Sequence, residues 1–170
     1  MNKFAYLIVI FAALAINTSA QKKSTASIDP SKDVRQAFDR LIDGIKQVDA
    51  GKVAGTYEKS DRLLIFNNNG SATIGWENVK ANVEASYAKV SNVSIEVTGV
   101  RVEMLGKTAA YVSCKWKQTQ ESDGKLESAS GRMTLVFKLI GKEWKIVHRH
   151  TSPDNPGPTR PVFPSERTDQ

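Results

Sequence analysis

From Val93 to Thr151 the apolar residues of this chain fall largely at every second position. A strand turns successive side chains to opposite faces, so a long period-two pattern calls for a sheet with one buried face. The alternation changes phase inside its first strand. Val93, Ile95 and Val97 share one parity; Val100, Val102 and Met104 share the other, with Gly99 between them. One extra residue at a glycine within a long strand is a β-bulge, and a bulge bends the sheet. Further strands are predicted from Thr108 to about Gln120, from about Leu126 to Ile140, and through Trp144–Ser152. Gly106-Lys107, Asp123-Gly124 and Gly141-Lys142 supply the turns. The pattern is a meander of long antiparallel strands, strongly curved.

Upstream the period is that of a helix. Asp29 suits an N-cap and Pro30 the first helical position. Val34, Phe38, Leu41, Ile42, Ile45 and Val48 then form one apolar stripe, which Gly51 is predicted to end. Lys52 to Tyr57 suit a short second helix, Asp61–Phe66 a strand and Asn67-Asn68-Asn69-Gly70 a turn. Gly75 opens a third helix with Trp76, Val79, Val83, Tyr87 and Val90 on one face. Helices gathered on one face of a curved antiparallel sheet define an α+β domain. Such a sheet wrapped round a helix encloses a cone, and the open end of a cone is a natural ligand pocket.

The ends read differently. Lys3, the apolar run Phe4–Ile16 and the small residues Thr18-Ser19-Ala20 follow the order of a secretory signal. The run falls short of the roughly 20 apolar residues of a membrane span. Residues 1–20 are therefore expected to be a signal peptide cleaved near Ala20. The mature protein would be secreted or periplasmic, without stable membrane insertion; an uncleaved N-terminal anchor is the alternative. Residues 21–28 read as a flexible segment and 29–152 as the folded domain. Residues 153–170 read as a disordered tail, rich in proline from Pro153 to Pro164.

Cys114 is the only cysteine, which rules out an internal disulfide and reads as a buried, inert thiol. The net charge of +6 is spread along the chain with no basic block interleaved with aromatics, which argues against nucleic acid as a partner. No phosphate-binding glycine loop, nucleophile elbow or Cys/His metal spacing occurs, so neither cofactor nor metal is expected.

Strict alternation puts His148 and His150, the only two histidines, on the face of Trp144 and Ile146. Histidine titrates near neutrality, so the pair marks a candidate site. One ring could act as acid–base group or ligand donor; alternatively both are structural, at the sheet edge or a dimer interface. As zinc ligands the pair lacks a third partner at obvious spacing. Asp61, Glu103 and Glu127 are possible bases, and Tyr57, Tyr87 and Tyr111 possible oxyanion donors, against the plainer reading of surface acids. Trp76, Trp116 and Trp144 either line a pocket or fill the core. Cys114 and Trp116 share one parity, Tyr111, Ser113 and Lys115 the other, and the more apolar set is expected inside.

The apolar first helix, the Gly75-Trp76-Glu77-Asn78-Val79 helix entry and the closing Gly141–Ser152 segment together resemble the nuclear-transport-factor-2-like superfamily. That superfamily includes the SnoaL-like domains and the ketosteroid isomerases. The closing segment is similar to the end of the association domain of calmodulin-dependent protein kinase II and of its bacterial SnoaL-like relatives. The resemblance implies a cone-shaped α+β barrel of cystatin-like type, pairing through its sheet into a homodimer. It also implies a pocket between the first helices and the concave sheet. The kinase hub has an arginine directly after its second histidine. Here that position is Thr151, and Arg132 or Arg149 could supply a guanidinium from elsewhere. The fold hosts many activities, so it does not by itself name a reaction. The expected pocket comprises His148, His150, Trp116, Tyr57, Tyr87 and Arg132, binding a small, partly apolar molecule without catalysis. The alternatives are an acid–base enzyme of isomerase, dehydratase or cyclase type, and a homo-oligomeric assembly module.

Overall fold

The structure, a computed structural model, describes residues 29–154. The expected signal peptide and flexible segment, and all of the tail beyond Asp154, lie outside the described residues. Three helices, α1 (Pro30–Lys46), α2 (Ala50–Gly55) and α3 (Trp76–Tyr87), accompany six strands. These are β1 (Leu64–Phe66), β2 (Ala72–Ile74), β3 (Val90–Met104), β4 (Ala109–Ser122), β5 (Lys125–Ile140) and β6 (Glu143–Pro153).

Helix α1 starts as its sequence requires, with the Asp29 carboxylate accepting from the Ser31 amide at 3.0 Å and Pro30 in the first turn. It stops at Lys46, before Gly51. Val48 takes a left-handed φ of 53°, and Asp49 caps α2 by accepting from the Lys52 amide at 2.9 Å. A cap that starts a new helix thus ends the stripe earlier than the glycine, and Gly51 becomes part of α2. Gly44 allows the crossing: a Cβ there would sit 3.0 Å from the Val53 side chain.

The sheet order is β2-β1-β6-β5-β4-β3. All neighbours are antiparallel except β1 and β6, which run parallel. The meander is therefore extended into a mixed sheet by a strand that arrives from the helical half. Strand β2 was not anticipated from the sequence; it is short, and Thr73 is its one half-buried residue. Strand β3 carries the expected bulge, with its register against β4 shifting between Thr98 and Arg101 and Gly99 at a φ of 62°. Strand β6 continues through Pro153, one residue past the expected end, because a strand terminus tolerates the loss of one amide donor.

Helix α1 lies on the concave face. Val34, Phe38 and Leu41 form one core with Val112 of β4, Leu135 and Phe137 of β5 and Ile146 of β6, all without measurable exposure. Cys114 and Trp116 share that inner face, and Trp144 is also part of the core. No helix among the described residues is long and apolar enough to cross a membrane.

Candidate functional site

The site is set by a further bulge, in β6. Ile146 pairs with Phe137 of β5, but His148 pairs with the preceding residue, Val136, which leaves Val147 as an extra residue. Beyond it the parity is reversed. Arg149 stands opposite the inward-facing Leu135, and Thr151 opposite the inward-facing Met133. His148 and His150 stand opposite Val136 and Thr134, on the outer face. The alternation reading that placed both histidines with Trp144 and Ile146 is therefore corrected. A bulge at Val147 intervenes and turns Arg149 inward in their place.

Arg149 borders a cavity of about 660 Å³ at the open end of the cone. Helices contribute Ile45, Val53, Val79, Val83 and Tyr87; the sheet contributes Ile65, Ile95, Trp116 and Met133. The rim is polar, with the Asn67–Asn69 turn, Asn82, Gln118 and Gln120. No histidine, aspartate or glutamate lines it among the described residues. A smaller hollow shares Asn68, Trp116, Gln118 and Gln120 and reaches Glu127, an exposed acid that accepts from Gln120 at 3.1 Å.

The Arg149 guanidinium is held from two sides. Nη1 donates to the Tyr57 hydroxyl at 2.9 Å, and Nη2 to Asn67 Oδ1 at 3.3 Å. Tyr57 is buried, so it is the floor beneath the arginine. The Nε–H of Arg149 and the indole N–H of Trp116 are both buried without an acceptor. Burial pushes the Tyr87 hydroxyl up to about 12, with Tyr57 nearby adding to the rise and Arg149 opposing it. Tyr87 is thus a neutral hydrogen-bonding wall at physiological pH. Burial also pushes the Cys114 thiol up to about 11, which keeps it protonated and unreactive.

The expected site residues divide into two groups. Trp116 and Tyr87 line the cavity, and Tyr57 lies under Arg149. His148, His150 and Arg132 do not line it. His148 Nδ1 is 2.9 Å from the Leu64 carbonyl, and both imidazoles meet Phe66 edge-on at 5.6 and 5.7 Å. Arg132 is exposed and pairs in register with Lys115. The acids offered as bases are elsewhere. Asp61 is exposed, and Glu103 is 3.9 Å from Arg101 on an exposed strand surface. Tyr111 stands opposite Val136, on the outer side. Trp76 anchors α3 by donating to the Ala54 carbonyl at 2.9 Å. No group of three or more metal-ligating side chains occurs among the described residues. The sequence put the histidines first, placed Arg132 in the expected pocket and offered Arg149 only beside Arg132 as a source of a guanidinium. The signal that could have found it is Ile146-Val147, two adjacent apolar residues that break the alternation immediately before it.

Helices seated in a curved six-stranded sheet, with an amphipathic cavity at the open end, define an α+β fold of the nuclear-transport-factor-2-like class. The model of the SnoaL-like domain family matches residues 34–156, and the chain belongs to that family. Solved structures share the fold. A nuclear-transport-factor-2-like protein from Salmonella enterica serovar Typhimurium is 19% identical, with a TM-score of 0.68 over 78% of this chain and 96% of that one. A ketosteroid isomerase-like protein from Erwinia carotovora atroseptica is 15% identical, with a TM-score of 0.64 over 76% and 99%. A nuclear-transport-factor-2-like protein of cystatin-like fold from Novosphingobium aromaticivorans is 14% identical, with a TM-score of 0.60 over 75% and 83%. No curated protein matches the sequence.

Proposed function

We propose that this chain is an exported SnoaL-like domain that binds a small, partly apolar molecule in its cone and performs no chemistry on it. The carrying observation is the cavity of about 660 Å³, apolar across its helical wall and amide-rich at its rim. Such a lining buries a ligand body and orients a polar end. Acid–base catalysis needs a proton carrier within reach of the substrate. No histidine, aspartate or glutamate lines the cavity among the described residues, and burial holds Tyr87 protonated and so unable to serve as a base.

The experiment is a thermal-shift screen of the purified protein against small amphiphiles, with His148→Ala and His150→Ala as controls. Stabilisation is expected, and retained in both controls, because neither histidine borders the cavity. Turnover of any bound compound, or loss of the shift in either control, would overturn the reading.

Export is supported by the order Lys3, Phe4–Ile16, Thr18-Ser19-Ala20, and is tested by sequencing the N-terminus of the protein recovered from cells. A start at Met1 or Asn2 in the processed protein would count against cleavage. Pairing into a homodimer through the outer sheet face is the corresponding assembly proposal. A monomer by light scattering at micromolar concentration would refute it.

A further inference from the structure

We propose that the ligand of this cavity is an anion, specifically a small monocarboxylate with an apolar body, its carboxylate seated against Arg149. The inference deepens the binding reading above and rests on it. Arg149 is a half-buried permanent cation, and no carboxylate of the described residues forms an ion pair with it. A charge removed from water calls for a counter-charge, and the chain supplies none in the cavity lining among the described residues.

Two buried donors of the site also lack an acceptor. Two guanidinium N–H groups go to neutral oxygens, those of Tyr57 and Asn67. The Arg149 Nε–H has no acceptor, and neither has the indole N–H of Trp116, in the wall of the same cavity. A planar carboxylate supplies two acceptor oxygens and one negative charge in the geometry a guanidinium matches. Side-chain adjustments of the kind common on binding bring sealed donors into line. The wall of Ile45, Val53, Val79 and Val83 then requires an apolar body. A dianionic phosphate fits less well, because this cavity offers one cation.

The test is calorimetric titration of the purified protein with 3-phenylpropanoate, its neutral amide and 2-phenylethyl phosphate. The carboxylate is expected to bind about tenfold or more tighter than the amide, the range of one charge-assisted hydrogen bond. Arg149→Gln should abolish that preference, weakening the carboxylate far more than the amide, and Arg149→Lys should keep part of it. An amide that binds the wild type as tightly as the carboxylate overturns the anion assignment and leaves the pocket reading intact. So does an Arg149→Gln protein that weakens both equally. Tighter binding of the phosphate overturns the choice of carboxylate. Binding of none of the three overturns both readings. Should Arg149→Gln fail to fold, the wild-type ratio of carboxylate to amide decides.

Discussion

Two residues decide what this cone can hold, and neither is a histidine. Arg149 supplies the charge and Tyr57 fixes it from below, at 2.9 Å. A third, Gly131, keeps the end of the sheet close-packed. A Cβ at Gly131 would fall 2.1 Å from the Ser152 carbonyl oxygen and 3.1 Å from the Trp116 ring. Gly131→Ala is therefore expected to lower stability by about 1–3 kcal/mol, the range for overpacked interiors, and to disturb the Trp116 wall. Urea denaturation with tryptophan fluorescence measures both; an unchanged midpoint would refute the contact. The residue scale was partly legible in the sequence. The core stripe Val34, Phe38, Leu41 stood out because burial and helical period coincide there. Arg149 did not, because an arginine flanked by two histidines carries no hydrophobic pattern to report its face.

At the scale of elements, the bulges at Gly99 and Val147 make the contrast plain. In β3 the phase change was visible because apolar residues flank Gly99 on both sides and reveal the swap. In β6 the residues after Val147 are His148, Arg149, His150 and Thr151, so only the adjacent apolar pair Ile146-Val147 marks the same swap. The early stop of α1 was missed for a related reason: an N-cap at Asp49 outweighs a glycine two residues later. The parallel β1–β6 contact was also illegible, because pairing between distant segments leaves no local period. Deleting Val147 removes the extra residue and leaves Ile146, His148 and Arg149 opposite Phe137, Val136 and Leu135 in a regular ladder, so Arg149 should stay inward and His148 outward. The expected result is a protein with native-like far-ultraviolet circular dichroism that keeps its preference for 3-phenylpropanoate over the amide. A folded deletion variant that loses that preference would contradict the register in which Val147 is the extra residue.

For the whole molecule, the α+β cone was legible from periodicity alone, whereas the pocket's lining depended on registers that periodicity does not fix. The same burial that shapes the pocket makes stability depend on pH at the alkaline end. Tyr87 is raised from 10.0 to about 12 and Cys114 from 9.0 to about 11, both first of all by burial. Well below pH 9.0 both groups are protonated, folded or unfolded, and add no pH dependence. As pH rises through this window the unfolded chain loses these protons first, so the folded state loses stability relative to it. The denaturation midpoint should fall from about pH 9 to about pH 12, and fall less in a Cys114→Ala, Tyr87→Phe double variant. An equal fall in that variant would place the alkaline sensitivity elsewhere.

The central claim is that the cavity is read by Arg149 from within, while the histidines stand outside it. Calorimetric titration of 3-phenylpropanoate into the wild type, Arg149→Gln and a His148→Ala, His150→Ala double variant tests it most directly. The account expects the double-histidine variant to bind like the wild type and Arg149→Gln to bind about tenfold or more weakly. A double-histidine variant that loses binding, beside an Arg149→Gln protein that keeps it, would contradict the account.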